Sequence, residues 1–308
     1  MTNPRPGFAV VLGEALTDIV VEPGGSREHP GGSPMNVSLG LARLGVPVTF
    51  GTQLGDDSRG DAIREHLTSS GVTIVPDPAP GSTTSTAAVE LDADGVARYQ
   101  FDVEFVLDVE PSLADVATHV HFGSIGAFLQ PGAGRVEQIA RAARPHATIS
   151  YDPNIRPQFL GTREEAIVHV ERHLSLSDIV KASDEDLEWL YPGVDPEEVI
   201  RGWLARGPAL VVVTRGSHDT LAVTASGVTA VPARRVEVVD TIGAGDAFMS
   251  GLIGGLLRAG LHGADARPAL HAIEAETLSE VLDLATSCAA FAVGRSGAQP
   301  PRATEVGY

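Results

Sequence analysis

The stretch Asp240-Thr241-Ile242-Gly243-Ala244-Gly245-Asp246, continued by Ala247-Phe248-Met249-Ser250-Gly251-Leu252, decides how the chain is read. Phe248, Leu252 and Leu256 share one face at helical spacing, so the second half predicts a helix. The first half is the turn that feeds it. Gly243 and Gly245 carry no Cβ, so the backbone can bend sharply and a ligand can come close. A helix N-terminus offers unpaired N–H groups and partial positive charge, which together make a cradle for a phosphate. A carboxylate there repels an anion unless it has a task, and Asp246 has one available: taking a proton from an attacking hydroxyl. The plainer alternative is a glycine turn with Asp246 as the helix cap.

Around this stretch, the composition sets limits. A chain of 308 residues can bury a large core in one domain with a small appendage. Hydrophobic residues make up 43% and there are 34 glycines, which suits a globular α/β protein rather than a disordered one. Cys288 is the one cysteine and reads as a small buried residue, so no internal disulfide can form. The N-terminus lacks the charged-then-apolar pattern of a leader, and no apolar run is long enough to span a bilayer, so a cytoplasmic location is expected. The net charge of −18 argues against nucleic acid or an anionic membrane as partner. A bound phosphate group then needs backbone dipoles, a metal and a few cations; the cations are almost all arginine, with Lys181 the single lysine.

Buried strands are predicted at Phe8–Gly13, Val46–Phe50, Val120–Phe122, Ala147–Tyr151, Asp178–Val180 and Ala209–Thr214. Helical patterns at Val37–Leu44, Asp61–Leu67, Arg135–Arg144 and Arg163–Leu174 separate them. That alternation predicts a mostly parallel sheet covered on both faces, with ligands beyond the carboxyl ends of its strands. Asp18–His29 and Thr84–Asp102 break the alternation and read as β-ribbons. The second is a hairpin of Thr86–Leu91 and Val96–Phe101 turning at Asp92-Ala93-Asp94-Gly95.

Further motifs follow predicted strands. Pro30-Gly31-Gly32-Ser33-Pro34-Met35-Asn36 enters a helix, and Asn36 can both donate and accept hydrogen bonds. Asp152-Pro153-Asn154-Ile155-Arg156-Pro157 offers an arginine that can hold an oxyanion bidentately, or a plain surface arginine. Val180-Lys181-Ala182-Ser183-Asp184-Glu185-Asp186 contains Ser183 as a ready helix cap. Thr214-Arg215-Gly216-Ser217-His218-Asp219 is a turn after a strand, and Cys288–Ala298 is a helix of small residues running into a loop. His119 and His121 alternate along a strand without metal-site spacing and receive no chemistry.

Taken in order, these motifs resemble the ribokinase-like (PfkB) family of sugar and nucleoside kinases, over Val10 to about Gln299. The family pattern D-T-x-G-A-G-D is matched in full. The resemblance implies a ribokinase-like three-layer α/β/α fold: one domain, 1–308, with a mostly parallel central sheet. A small β-sheet lid enters it from about 15–30 and 84–104, and pairs two copies into a homodimer. It implies ATP and Mg²⁺, with Asp246 as catalytic base and Gly243, Ala244 and Gly245 as the anion hole. Asp18, Gly31, Gly32, Asn36, Phe101 and Arg156, with Asp246, would bind the acceptor sugar. Lys181, Ser183, Thr214, Gly216 and Gly245 would serve the nucleotide. Ser183 and Asp186 stand where the family has Asn and Glu, which assigns Asp186 to Mg²⁺ through water. Asp240 with Ile242, Ala292, Arg295 and Gly297 would form a monovalent-cation (K⁺) site. Asp219 replaces the last glycine of the nucleotide loop. Among the branches, the motifs look most like bacterial fructokinase, then 2-keto-3-deoxygluconate kinase and ribokinase. A non-catalytic sugar- or nucleotide-binding regulator is the alternative of another class.

Overall fold

The computed structural model describes residues 7–22, 25–76, 82–91 and 97–308. Its strands are β1 (Ala9–Leu12), β2 (Leu16–Glu22), β3 (Gly25–Gly31), β4 (Val48–Gly51), β5 (Thr73–Val75), β6 (Thr86–Leu91), β7 (Ala97–Asp102), β8 (His119–Gly123), β9 (Thr148–Asp152), β10 (Ile179–Ser183), β11 (Leu210–Thr214), β12 (Thr220–Thr224) and β13 (Gly227–Val231). Among the described residues the large sheet runs β13-β12-β11-β10-β9-β8-β1-β4-β5. It is parallel from β5 through β11, and β12 and β13 close that edge as an antiparallel hairpin.

The apolar runs are continuous because helices cover both faces of this sheet. Along β1, Ala9 and Val11 join a cluster with Met35, Leu39, Phe248, Leu252 and Leu282. Val10 and Leu12 face the other way, toward Val136, Ile139, Val170, Leu174 and Trp203. The first layer is built from helices Ser33–Arg43, Ala244–Arg258 and Ala275–Val293; the second from Gly132–Ala143, Arg163–Leu174 and Pro196–Leu204. Asp57, Thr162, Ser183 and Asp195 each cap a helix that follows a turn, accepting a bond from a first-turn N–H.

A smaller sheet runs β3-β2-β6-β7, with β2 antiparallel to β3, parallel to β6, and β6 antiparallel to β7. Both ribbons expected from the sequence are present, and they pair into one sheet. The turn expected at Asp92–Gly95 lies outside the described residues. Leu16, Ala87 and Ile125 pack with Phe101 and Phe159 where this sheet meets the large one. Strand β3 ends at Gly31 and the helix begins at Ser33, so the small sheet is joined directly to a core helix. That helix starts one turn earlier than its apolar period predicts, because Pro34 is accommodated in its first turn.

Candidate active site

The helix Ala244–Arg258 begins behind Gly243, which holds φ 74° and ψ 3° as its N-cap. A Cβ on Gly243 would lie 2.6 Å from the Cβ of Ala298, so both conformation and space demand glycine. Asp246 is therefore the third helical residue rather than the cap, which answers the plainer alternative. Its carboxylate is buried. Ser33 Oγ donates to its Oδ1 at 2.7 Å, and Asn36 Nδ2 donates to its Oδ2 at 2.8 Å. The other end of the Asn36 amide, Oδ1, is buried with no hydrogen-bond partner among the described residues. An unmet acceptor beside a carboxylate is a place for a ligand hydroxyl.

The small sheet supplies the next carboxylate. Asp18 on β2 packs against Gly31 so closely that a Cβ there would fall 2.1 Å from Asp18 Oδ2. Burial pushes the Asp18 carboxyl up to about 6; the charge of Asp246 adds to this and Arg156 opposes it. Arg156 is itself exposed and donates to the carbonyl of Ile155 at 3.0 Å. Phe101 on β7 meets Phe159 edge to face, with ring centres 5.2 Å apart. Glu14, between β1 and β2, is a buried carboxyl nearby that the sequence did not single out. It is 2% exposed and accepts from the N–H of Gly126 at 2.7 Å. Burial raises it to about 7 against the bonds it accepts and the charge of Arg156.

Lys181 on β10 is buried and pairs with Asp152 on β9, Nζ to Oδ2 2.9 Å. Its Nζ lies 3.0 Å from where a Cβ on Gly245 would be, directly against the glycine turn. Burial works against the Lys181 charge, but Asp152, Asp186 and Asp246 together outweigh it and hold the ammonium above its ordinary value. Burial pushes Asp152 up to about 6 even with Lys181 against it. Asp152 was not singled out from sequence, although it opens the motif that contains Arg156.

Ser183 caps the helix Asp184–Leu190, and Asp186 returns the bond in a capping box. Asp186 Oδ2 accepts from Ser183 N and Oγ, and Oδ1 accepts from Ile155 N at 2.7 Å. Both lone pairs of Oδ2 are engaged, and one on Oδ1 stays open to a metal ion or to a metal-bound water. Ser183 and Thr214 are register partners at the carboxyl ends of β10 and β11. Gly216 follows with φ 54°, and Arg215 Nε donates to the carbonyl of Asp219.

Asp240 ties two loops together, accepting from Ile242 N at 3.0 Å and Gly297 N at 2.8 Å. The Ala292 carbonyl accepts from Arg295 N, and the Arg295 side chain lies over Phe291 and pairs with Glu305. These loops abut the glycine turn through Ala298, so the residues expected to hold a monovalent cation are gathered there. The described residues contain no cluster of three or more His, Cys, Asp or Glu suited to a metal. His119 and His121 share the hydroxyl of Ser150 within the sheet, at 2.7 and 2.9 Å, and burial holds both at about 3, hence neutral.

A buried carboxylate beside a glycine turn, at the carboxyl ends of a parallel sheet and under a small second sheet, is a ribokinase-like arrangement. Residues 9–305 match the pfkB family of carbohydrate kinases, and the chain belongs to that family. Its class is thus that of ATP-dependent carbohydrate kinases. It is 34% identical to fructokinase from Rhizobium leguminosarum bv. trifolii over 255 residues, covering 79% of this chain and 78% of the relative. Fructokinase from Xylella fastidiosa with bound ATP superposes with a TM-score of 0.87 at 28% identity, covering 98% of this chain and 97% of the other. A fructokinase double mutant from Vibrio cholerae O395, in fructose-, ADP- and potassium-bound form, gives a TM-score of 0.81 at 26% identity, with 99% of each chain covered. Among the described residues, no helix is long and apolar enough to cross a membrane.

Proposed function

We propose that this carbohydrate kinase transfers the γ-phosphoryl group of ATP to a hydroxyl of fructose. The observation that carries the reading is the meeting of Asp246, Asn36 and Asp18 at the N-terminal end of the Ala244–Arg258 helix. There one carboxylate can take a proton while the helix amides receive the phosphoryl charge. Asp18 and the Asn36 Oδ1, unpartnered among the described residues, would accept bonds from sugar hydroxyls, and Gly31 leaves room for the Asp18 carboxylate. Phe101 would cover the sugar from the small sheet, acting as a lid that excludes water. Arg156 would reach an oxygen of the acceptor from the rim. Asp246 removes the proton as the new O–P bond forms and the bond to the leaving ADP oxygen breaks.

Lys181 sits against Gly245, where its charge offsets that of the transferring group. Ser183, Thr214 and Gly216 line the strand ends on the nucleotide side. Mg²⁺ bound with ATP would neutralise the phosphate oxygens, with Asp186 reaching it through water. The Asp240 loops and the carbonyls of Ile242, Ala292, Arg295 and Gly297 suit K⁺ as an activator. Fructose is favoured as acceptor by the fructokinases among the relatives.

The test is ADP release with Mg²⁺–ATP across fructose, 2-keto-3-deoxygluconate, ribose, tagatose and adenosine, with and without K⁺. Preference for fructose is the expected result. Activity on the keto-acid alone would reassign Arg156 to a carboxylate. Absence of sugar-dependent release from folded, ATP-binding protein would overturn the reading.

A further inference from the structure

Asp246 and Ser33 are 213 residues apart, yet the hydroxyl of one donates to the carboxylate of the other in a buried contact of 2.7 Å. Ser33 is the first residue of the helix that follows β3. Its neighbours are held in place by close approach: a Cβ on Gly32 would lie 2.8 Å from the carbonyl oxygen of Glu14, and Gly31 is pressed against Asp18. The Ser33 hydroxyl is therefore delivered to Asp246 by a backbone with little room to move.

The two donors on Asp246 differ chemically. The Asn36 NH₂ can only donate, so its bond to Oδ2 keeps its full strength only while that oxygen stays unprotonated. A serine hydroxyl donates or accepts by rotating its proton. We infer that Ser33 is a positioning residue for the base, and that it makes Oδ1 the oxygen that takes the proton from the acceptor. This rests on the reading of Asp246 given under Proposed function. In the resting state Ser33 donates to Oδ1 and fixes the carboxylate plane. In the reaction the acceptor O–H bond breaks and an Oδ1–H bond forms. The new Oδ1–H turns about its C–O bond toward Ser33, whose hydroxyl rotates to accept from it, while Oδ2 keeps its bond from Asn36. No proton is exchanged with Ser33, and no further reactant is required.

The experiment compares Ser33→Ala, Ser33→Thr and Asp246→Asn by steady-state ADP release, with sugar affinity measured by calorimetry and folding by thermal melting. Hydrogen bonds to charged groups are the stronger kind, so Ser33→Ala is expected to lower kcat on the order of tenfold. The sugar Kd and the KM for ATP should stay within about twofold, because in this assignment the hydroxyl acts on the carboxylate and not on a ligand. Ser33→Thr should restore most of kcat, since its hydroxyl can occupy the same place. A Ser33→Ala enzyme with wild-type kcat, beside an inactive Asp246→Asn, would overturn the inference and leave the base standing. An active Asp246→Asn would overturn the base itself. Equal losses in Ser33→Ala and Ser33→Thr, accompanied by lower melting temperatures, would show a packing role only and also refute the inference.

Discussion

Replacing Lys181 by methionine keeps the length of the side chain and removes its charge. Asp152, at 1% exposure, then has no cation within bonding distance among the described residues and still feels Asp186 and Asp246. Breaking one partner of a buried ion pair costs roughly 3–5 kcal/mol. Linkage adds a pH dependence whose sign follows from Asp152. Its folded pKa, about 6, lies above its ordinary value of 3.8, so the native state binds more protons between these limits and stability falls as pH rises through them. Lys181 is the strongest influence lowering that pKa, so in Lys181→Met the carboxyl titrates higher still and the loss continues above pH 6. Each pH unit in that window adds up to about 1.4 kcal/mol. The difference from wild type should thus grow by up to about 3 kcal/mol between pH 6 and 8. Urea unfolding at pH 6, 7 and 8 measures it. Adding Asp152→Asn to Lys181→Met should flatten the pH dependence and recover part of the loss at pH 8. A penalty independent of pH, or a double variant no more stable than Lys181→Met, would refute the reasoning.

Three other outcomes are expected. Gly243→Ala places a methyl group 2.6 Å from Ala298 and forces φ 74° on a residue with a side chain, so it should lower kcat by about a hundredfold through the anion turn, with a Tm loss readable by calorimetry. Gly31→Ala must displace the Asp18 carboxylate, so it should raise the KM for sugar far more than the KM for ATP in steady-state assays. Glu14 titrates near 7 in the fold against an ordinary 4.5, so it costs stability as pH rises from about 4.5 to 7. Glu14→Gln should therefore be more stable than wild type at pH 8, by at most about 3 kcal/mol, with the gain vanishing toward pH 5 in denaturant titrations.

Local constraints made much of this readable from the sequence. The glycines of Gly243–Gly245 and Gly31–Gly32 mark places where a Cβ has no room, and such constraints show in a few adjacent residues. The parallel strands were legible because both faces of the sheet are covered, leaving near-continuous apolar runs. Their carboxyl ends were read short: Asp152, Lys181 and Ser183 continue β9 and β10 past the apolar residues, because polar side chains gather there for the site. The edge hairpin β12–β13 was not foreseen, since Gly227–Val231 is only partly buried and shows no clean alternation. Ser33, Glu14 and Asp152 were missed for another reason. Their partners lie 213, 112 and 29 residues away, and only the fold brings each pair together.

The most direct test of the account is Asp246→Asn, assayed for sugar-dependent ADP release with fructose binding measured in parallel. A positioned general base contributes about a hundredfold to ten-thousandfold, so kcat should fall by at least about a hundredfold while the sugar Kd changes by no more than about threefold. An Asp246→Asn enzyme with near-normal turnover would contradict the account.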